Sequence, residues 1–572
     1  MKSSDRGDSV VEGQVVAEQL IIGRVEGVSA GAGQLRLDRA ALDGLVVLPD
    51  PAAALSGSVG GQVKIKVDGK WVLGKLRDTR LADGGDDAAV LASIDFIGEG
   101  NEGPGGALIN FSRGISNYPR PGDRVAAVCQ ADLVALFGAR DRPHIEIGTV
   151  YPTADMRASL LIDPLLGKHF ALLGSTGSGK STTAALILHR IIDAVPGGHI
   201  VVLDPHGEYS KAFAGKGVVF NVDNLELPYW LMNFDEHCEV FIASEGSERD
   251  LDKSVLAACL LKARARSPLA GTYPNLTVDS PVPYPIFELL SALDAQIGKL
   301  DNSSEIARYV RLKNRIEHIL RDTRLNFMFR RELSTDTMHG FLARILRLPT
   351  DGRPISIIDL SGVPSEIVAV VVALLSRIVM DYAMWSRTET QQPILLVCEE
   401  AHRYVPAETT NASPAARKAL ERIAKEGRKY GVSLALISQR PSDIAEGVLS
   451  QCGTIITMRL NNDRDQACVR NAMPDGGRSF LDNIPALAKG ECIICGEGVS
   501  VPMQVRIDLP PEEMRPSSDD PQFSDHWARE APDDGSIGRV ITRWRSQSYS
   551  LPEERKAMRP SLLLRSVEPR QA

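Results

Sequence analysis

Cysteine is scarce in this chain: there are eight in 572 residues, scattered, several of them inside apolar strand-like runs. Such scatter fits a reducing cytosol better than a disulfide framework. No uninterrupted apolar run reaches the roughly 18 residues of a membrane span. The opening Met1-Lys-Ser-Ser-Asp-Arg-Gly-Asp has none of the apolar core of a signal peptide. The expectation is a cytoplasmic protein without a membrane contact. Positive charge is also in short supply. With 65 Lys and Arg against 73 Asp and Glu, the net charge is -8. That excludes a chain that coats nucleic acid over its whole surface, though not a few basic loops lining a pore. Nor is there a second Cys/His pair at zinc spacing to complete Cys492-Ile-Ile-Cys495. In a strand, residues three apart face opposite sides of the sheet, so the pair reads as structural.

What is present is length and pattern. A chain of this size needs about two to four domains. Residues 1–18 read as a tail. From 19 to 150, strand-like runs at 21–25, 63–67, 71–76, 90–94 and 124–128 are divided by glycine-rich turns such as Asp83-Gly-Gly-Asp-Asp, which predicts a small β-barrel. From 151 to 510, strands at 170–173, 199–203, 355–360, 394–397, 432–438 and 454–458 alternate with helices. That is the pattern of a parallel, doubly wound α/β sheet. The block 235–350 breaks the rhythm with helical segments at 247–265 and 304–321 and reads as an insertion. Between 301 and 347 it carries ten Lys/Arg against six Asp/Glu, a solvated helical face or else a surface turned to nucleic acid. Residues 511–572 turn rich in proline and charge and read as an extended arm.

The chemistry lies in one loop and its partners. Gly174, Ser175, Thr176, Gly177, Ser178, Gly179, Lys180 and Ser181 spell GxxxxGK[ST] between the strand 170–173 and a helical run beginning at Thr182. The glycines let backbone N–H groups turn inward around phosphate oxygens, and the helix N-terminus adds its positive end. Lys180 can then reach the β- and γ-phosphates and Ser181 can offer its hydroxyl to Mg²⁺, so the expected ligands are ATP and Mg²⁺.

Such a loop needs an acid at a strand end for the metal and a group to orient the attacking water. The run Pro393-Ile-Leu-Leu-Val-Cys ends in Glu399-Glu400. Glu399 is assigned to the metal shell and Glu400 to polarising the water. Strand 432–438 ends in Gln439, an amide placed to sense the γ-phosphate. Asp204 closes another strand, where it either approaches the nucleotide or forms the Asp-Pro turn. Ser413-Pro414 reads as N-cap and first turn of a helix that stops at Gly431, with Leu420, Ile423, Ala424 and Gly427 on its buried face. Arg422, Arg428 or both could enter a neighbouring subunit's site as arginine fingers; a solvated basic helix explains the same charges.

Taken together these strings resemble the HerA family of the FtsK–HerA translocases. The matching pieces are the glycine loop, Asp204-Pro-His-Gly-Glu-Tyr209, Leu227-Pro-Tyr-Trp-Leu-Met-Asn-Phe234, Glu400-Ala-His-Arg403, Arg422-Ile-Ala-Lys-Glu-Gly-Arg-Lys-Tyr-Gly431, Ser438-Gln-Arg-Pro-Ser-Asp443 and, upstream, Gly114-Ile-Ser-Asn-Tyr-Pro119. The resemblance implies a RecA-like P-loop ATPase core behind a HAS-type β-barrel. It implies a homo-hexamer that hydrolyses ATP between subunits and moves double-stranded DNA, with a partner nuclease or NADase effector, in end processing or antiphage defence. The family usually has Asp-Glu where this chain has Glu399-Glu400. One extra methylene shifts the metal ligand, so slower hydrolysis or altered metal preference is expected. Two other roles are open on the same residues: an ATP-dependent assembly platform that activates an effector, and a conjugation-type export ATPase docked on a membrane partner.

Overall fold

The computed structural model describes residues 20–48, 50–82, 89–139, 142–153, 155–299, 302–408, 413–473, 481–517, 523–528 and 534–546. The tail 1–18, the turn at 83–87 and much of the arm 511–572 lie outside the described residues. The chain divides into two compact units, one of Met1–Val219, Met338–Ile357 and Ala369–Pro516, the other of Phe220–Thr337, Ile358–Val368 and Ser517–Ala572.

In the first unit, alternation builds a barrel. Strands β1 (Ile21–Ser29), β2 (Ala32–Asp38), β3 (Gln62–Val67), β4 (Lys70–Leu81), β5 (Ala89–Glu102) and β7 (Arg124–Ala127) pair antiparallel in the order β2-β1-β7-β3-β4-β5, and β2 closes on β5. Strand β6 (Leu108–Arg113) adds to β5 outside the ring. Along β2, Gly33, Leu35 and Leu37 are buried while Gln34, Arg36 and Asp38 are exposed, the two-residue period of a half-buried strand. The interior is aliphatic, built from Ile22, Leu35, Val63, Ile65, Ile94 and Val125 among others. Closure pairs both sides of the six strands in the ring and leaves an outer edge on β6. Arg113, at the end of β6, donates to the carbonyls of Gly496, Val499 and Ser500 at 2.6, 2.7 and 3.0 Å, which ties the barrel to the sheet beside it.

That sheet has eleven strands. They are β8 (His144–Val150), β9 (Arg157–Leu161), β10 (Phe170–Leu173), β11 (His199–Asp204), β12 (Gly217–Phe220), β13 (Ile355–Asp359), β14 (Ile394–Cys398), β15 (Val432–Ser438), β16 (Thr454–Met458), β17 (Glu491–Gly496) and β18 (Met503–Ile507). Their order is β12-β13-β11-β14-β15-β10-β16-β17-β18-β8-β9. From β11 through β14, β15 and β10 to β16 the pairing is parallel; from β16 outward to β9 it is antiparallel. Every residue of β10, β11 and β14 is buried, as strands covered on both faces require. This is the RecA-like arrangement: β15 lies between the glycine-loop strand β10 and the acid-bearing strand β14. Cys492 and Cys495 sit buried on β17 as free thiols, and burial pushes Cys495 up to about 12, so neither is poised for redox chemistry.

Helix α1 (Lys180–Ala194) follows the glycine loop. The helix α2 (Ser365–Trp385), between β13 and β14, is long and apolar enough to cross a membrane, with a mean hydropathy of 2.0, yet 67% of that window is buried inside the protein. Its burial is that of a core helix. Helix α3 (Pro414–Glu426) begins as the sequence predicts: Ser413 Oγ accepts from Ala416 N, and Leu420, Ile423, Ala424 and Gly427 are buried. The chain then tightens and ends at Gly431, φ 76°.

In the second unit, helices Gly246–Ala265, Ile286–Ile297 and Ser303–Arg321 pack on one another. Arg264 is fully buried there and donates to the carbonyls of Trp230, Met232 and Ser280. The basic excess of this segment is largely matched: Arg308, Arg311, Lys313, Arg321, Arg324 and Arg330 each face a carboxylate of the same unit. That favours the solvated helical face over a nucleic-acid surface.

Two buried histidines give the first unit an acid limit. Leu434 N donates to His169 Nδ1 at 2.9 Å, which leaves Nε2 as the donor to Ala424 O at 3.1 Å. His189 Nε2 lies 3.0 Å from Ala212 O. Burial holds both below the ordinary value of 6.5. The folded state prefers the neutral rings, so their contribution is present above 6.5 and is lost as pH falls through the depressed folded values. The melting temperature should therefore drop from pH 7.5 toward pH 5, with a shallower slope in His169→Gln.

Candidate active site

The glycine loop can be made only by glycine at key points. Gly177 and Gly179 have φ of 75° and 107°, in the left-handed region. A Cβ at Gly174 would come within 2.8 Å of Met458 Cβ and of Ser178 Oγ. The loop is tied on both sides: Gly174 N donates to Ser438 O at 3.2 Å, Ser175 N to Arg459 O at 2.8 Å, and Gly490 N to Ser178 O at 3.0 Å. Lys180 is buried, and its Nζ donates to Ser175 O at 3.3 Å. Burial lowers its pKa, while Glu400, Glu399 and Glu208 pull it back up. Ser181 and Thr182 open α1 and remain partly accessible.

Across the sheet edge stand the two acids. Glu399 is buried, and Tyr209 Oη donates to its Oε2 at 2.7 Å. Burial pushes the Glu399 carboxyl up to about 8; the Tyr209 bond and Lys180 oppose that, and Glu400 and Glu208 add to it. Glu400 sits at φ 50°, ψ 47°, a left-handed conformation that costs a non-glycine residue about 1–2 kcal/mol. Such strain marks a position held for a purpose. Its Oε2 is buried with no hydrogen-bond partner. His402 Nδ1 lies 3.2 Å from that oxygen and 3.1 Å from Ser438 Oγ. Between the acids and the loop, on the tip of β15, Gln439 Oε1 accepts from Thr176 Oγ1 at 2.6 Å.

Lys180, Glu399, Glu400 and Gln439 thus meet at the carboxyl ends of β10, β14 and β15, where ligands of such sheets bind. A triphosphate with Mg²⁺ fits the residues present. Gly174 has no room for a side chain, Lys180 is a desolvated cation, and Glu400 Oε2 is a buried acceptor that makes no hydrogen bond. Mg²⁺ takes few protein ligands beside water and phosphate, and Ser181 and Glu399 are the ones available.

Other sequence-predicted residues fall outside this cluster. Asp204 is fully buried and accepts from the backbone N–H of His206, Gly207 and Tyr209 at 3.2, 2.9 and 2.9 Å; of its two readings, the turn is the one the structure supports. Arg422 is engaged within its own chain, 3.4 Å from Asp381 Oδ1 and 3.7 Å from Glu426 Oε2. Arg428 is exposed and makes no ion pair among the described residues. Tyr209 was missed as a site residue. The only sequence signal for it was its place in Asp204-Pro-His-Gly-Glu-Tyr209, and its contact with Glu399 spans 190 positions.

Residues 145–379 match the central domain of helicase HerA. The chain is 28% identical over 459 residues to the DNA double-strand break repair helicase HerA of Pyrococcus furiosus, covering 74% of this chain and 78% of that one. The protein of the same description from Sulfolobus acidocaldarius is 26% identical over 431 residues, 73% of this chain and 81% of the other. Among solved structures, VirB4 of Thermoanaerobacter pseudethanolicus aligns with a TM-score of 0.47 at 16% identity, over 66% of this chain and 99% of that one.

Proposed function

We propose that this chain, whose residues 145–379 match the central domain of helicase HerA, is a P-loop ATPase of that family that hydrolyses ATP with Mg²⁺ to move along double-stranded DNA. The observation that carries the reading is the meeting of Lys180, Glu399, Glu400 and Gln439 at one sheet edge, with the Glu400 Oε2 acceptor left open. In this reading Gly174 to Thr182 cradle the phosphates and Lys180 binds their outer oxygens. Ser181 and Glu399 hold the cation, whose charge offsets that developing on the phosphate oxygens. Glu400 orients a water and takes its proton; Gln439 reports the γ-phosphate to the loop through Thr176. Arg428, exposed and without an ion pair among the described residues, is the better of the two candidates to complete a neighbour's site, which makes a ring, six subunits in the family resemblance, the working form. The division into tail, barrel, core with helical insertion and arm, and a cytoplasmic setting, belong to the same proposal, as does a nuclease or NADase effector in end processing or antiphage defence.

A second reading, an ATP-dependent platform that assembles and activates such an effector, gains from the paired cations of the helical unit, which leave little basic surface for DNA there. The test that separates them is displacement of a triplex-forming strand from duplex DNA. The translocase reading expects displacement that needs ATP and vanishes in Lys180→Ala. Effector activation without displacement, with or without DNA, favours the platform.

A further inference from the structure

We propose that Tyr209 is a positioning residue that orients the Glu399 carboxylate for a divalent cation, an inference that rests on the assignment of Glu399 to the metal shell. Tyr209 is fully buried, and its one polar group donates to Glu399 Oε2 at 2.7 Å. A buried hydroxyl without a partner would be costly, so this bond fixes both side chains. The tyrosine is itself set by the backbone. One carboxylate, Asp204, gathers the N–H groups of His206, Gly207 and Tyr209 and winds the turn after β11 so that the ring points back toward β14. The ring lies over Phe213 at 6.5 Å, and Phe213 stacks on His189 of α1 at 4.3 Å. A continuous line of contacts therefore joins the helix that follows the glycine loop to the acid across the sheet.

A glutamate has one more rotatable bond than an aspartate, and an unrestrained Glu399 would spread its oxygens over more positions. Binding Oε2 to Tyr209 restricts that freedom and leaves the carboxylate's other oxygen outside this bond. Partners of this kind are worth about 10–100-fold in metal affinity.

The test uses the full chain with Tyr209→Phe, which keeps the ring and its packing. Mn²⁺ affinity is measured by electron paramagnetic resonance with a non-hydrolysable ATP analogue, and the Mg²⁺ dependence of turnover is measured beside it, both also in Glu399→Asp. The expected result is a fall of about 10-fold or more in Mn²⁺ affinity, with a matching rise in the Mg²⁺ needed for half-maximal turnover and kcat at saturating Mg²⁺ kept within about twofold. In Glu399→Asp, whose shorter arm cannot keep the bond, the same change should add little. Unaltered Mn²⁺ affinity, or an equal loss in both backgrounds with a uniform fall in kcat, would overturn the proposal and reduce Tyr209 to packing. Wild-type Mn²⁺ affinity in Glu399→Ala would instead remove the assignment of Glu399 on which it rests.

Discussion

Glu400→Gln is expected to lower ATP turnover by about 10²–10⁴-fold, the usual contribution of a positioned acid or base, while leaving nucleotide binding nearly unchanged. The substitution keeps the length and shape of the side chain and removes only its ability to take a proton. The grounds are local. The residue is buried, holds a left-handed conformation, and makes no hydrogen bond through Oε2, an arrangement that costs stability. Turnover and the affinity for a fluorescent ATP analogue, measured on the same preparation, separate this from a structural role. A residue that merely starts the short helical turn Ala401–Arg403 would change the melting temperature and leave kcat alone.

The second large effect is expected at Arg428. An arginine that enters a neighbour's site is worth about 10³–10⁵-fold in rate, so Arg428→Ala should be nearly inactive although its own pocket is intact. Mixing makes the claim specific. Subunits carrying Arg428→Ala and subunits carrying Lys180→Ala each lack one half of the site, and in a mixed ring some junctions regain both halves, so activity should reappear on mixing. Arg422→Ala should behave differently. Its guanidinium faces Asp381 and Glu426 of the same chain, so the expected loss is one of stability, of the order of 1 kcal/mol for partly exposed pairs, with turnover largely kept. Full inactivation by Arg422→Ala alone, with Arg428→Ala active, would reverse the assignment.

What the sequence could tell, and what it could not, follows from distance along the chain. The glycine loop is legible because its eight residues are contiguous and each does something local: a left-handed turn, an inward N–H, a first helical turn. The parallel strands are legible as short apolar runs, and α3 as a capped amphipathic segment. Glu399 and Glu400 were readable as strand-end acids, but nothing local says that β15 intervenes between them and the loop, or that Gln439 would meet Thr176. That order is fixed by packing of the whole sheet. Tyr209 looked like the end of a motif and became a site residue only through a contact 190 positions away. Arg422 and Arg428 carry the same charge on the same segment, and Asp381, 41 residues upstream, helps Glu426 to tell them apart. The antiparallel extension through β17, β18, β8 and β9 was likewise invisible, because β8 and β9 come before the glycine loop in sequence and join the far edge of the sheet.

The most direct test is ATP turnover followed across a titration with duplex DNA, in the unmodified protein and in Glu400→Gln. A translocase that couples this site to DNA should show turnover that climbs severalfold, on the order of 2- to 10-fold, and saturates with DNA, with no rise in Glu400→Gln although that variant still binds nucleotide. Turnover that stays flat across the titration, or that persists in Glu400→Gln, would contradict it.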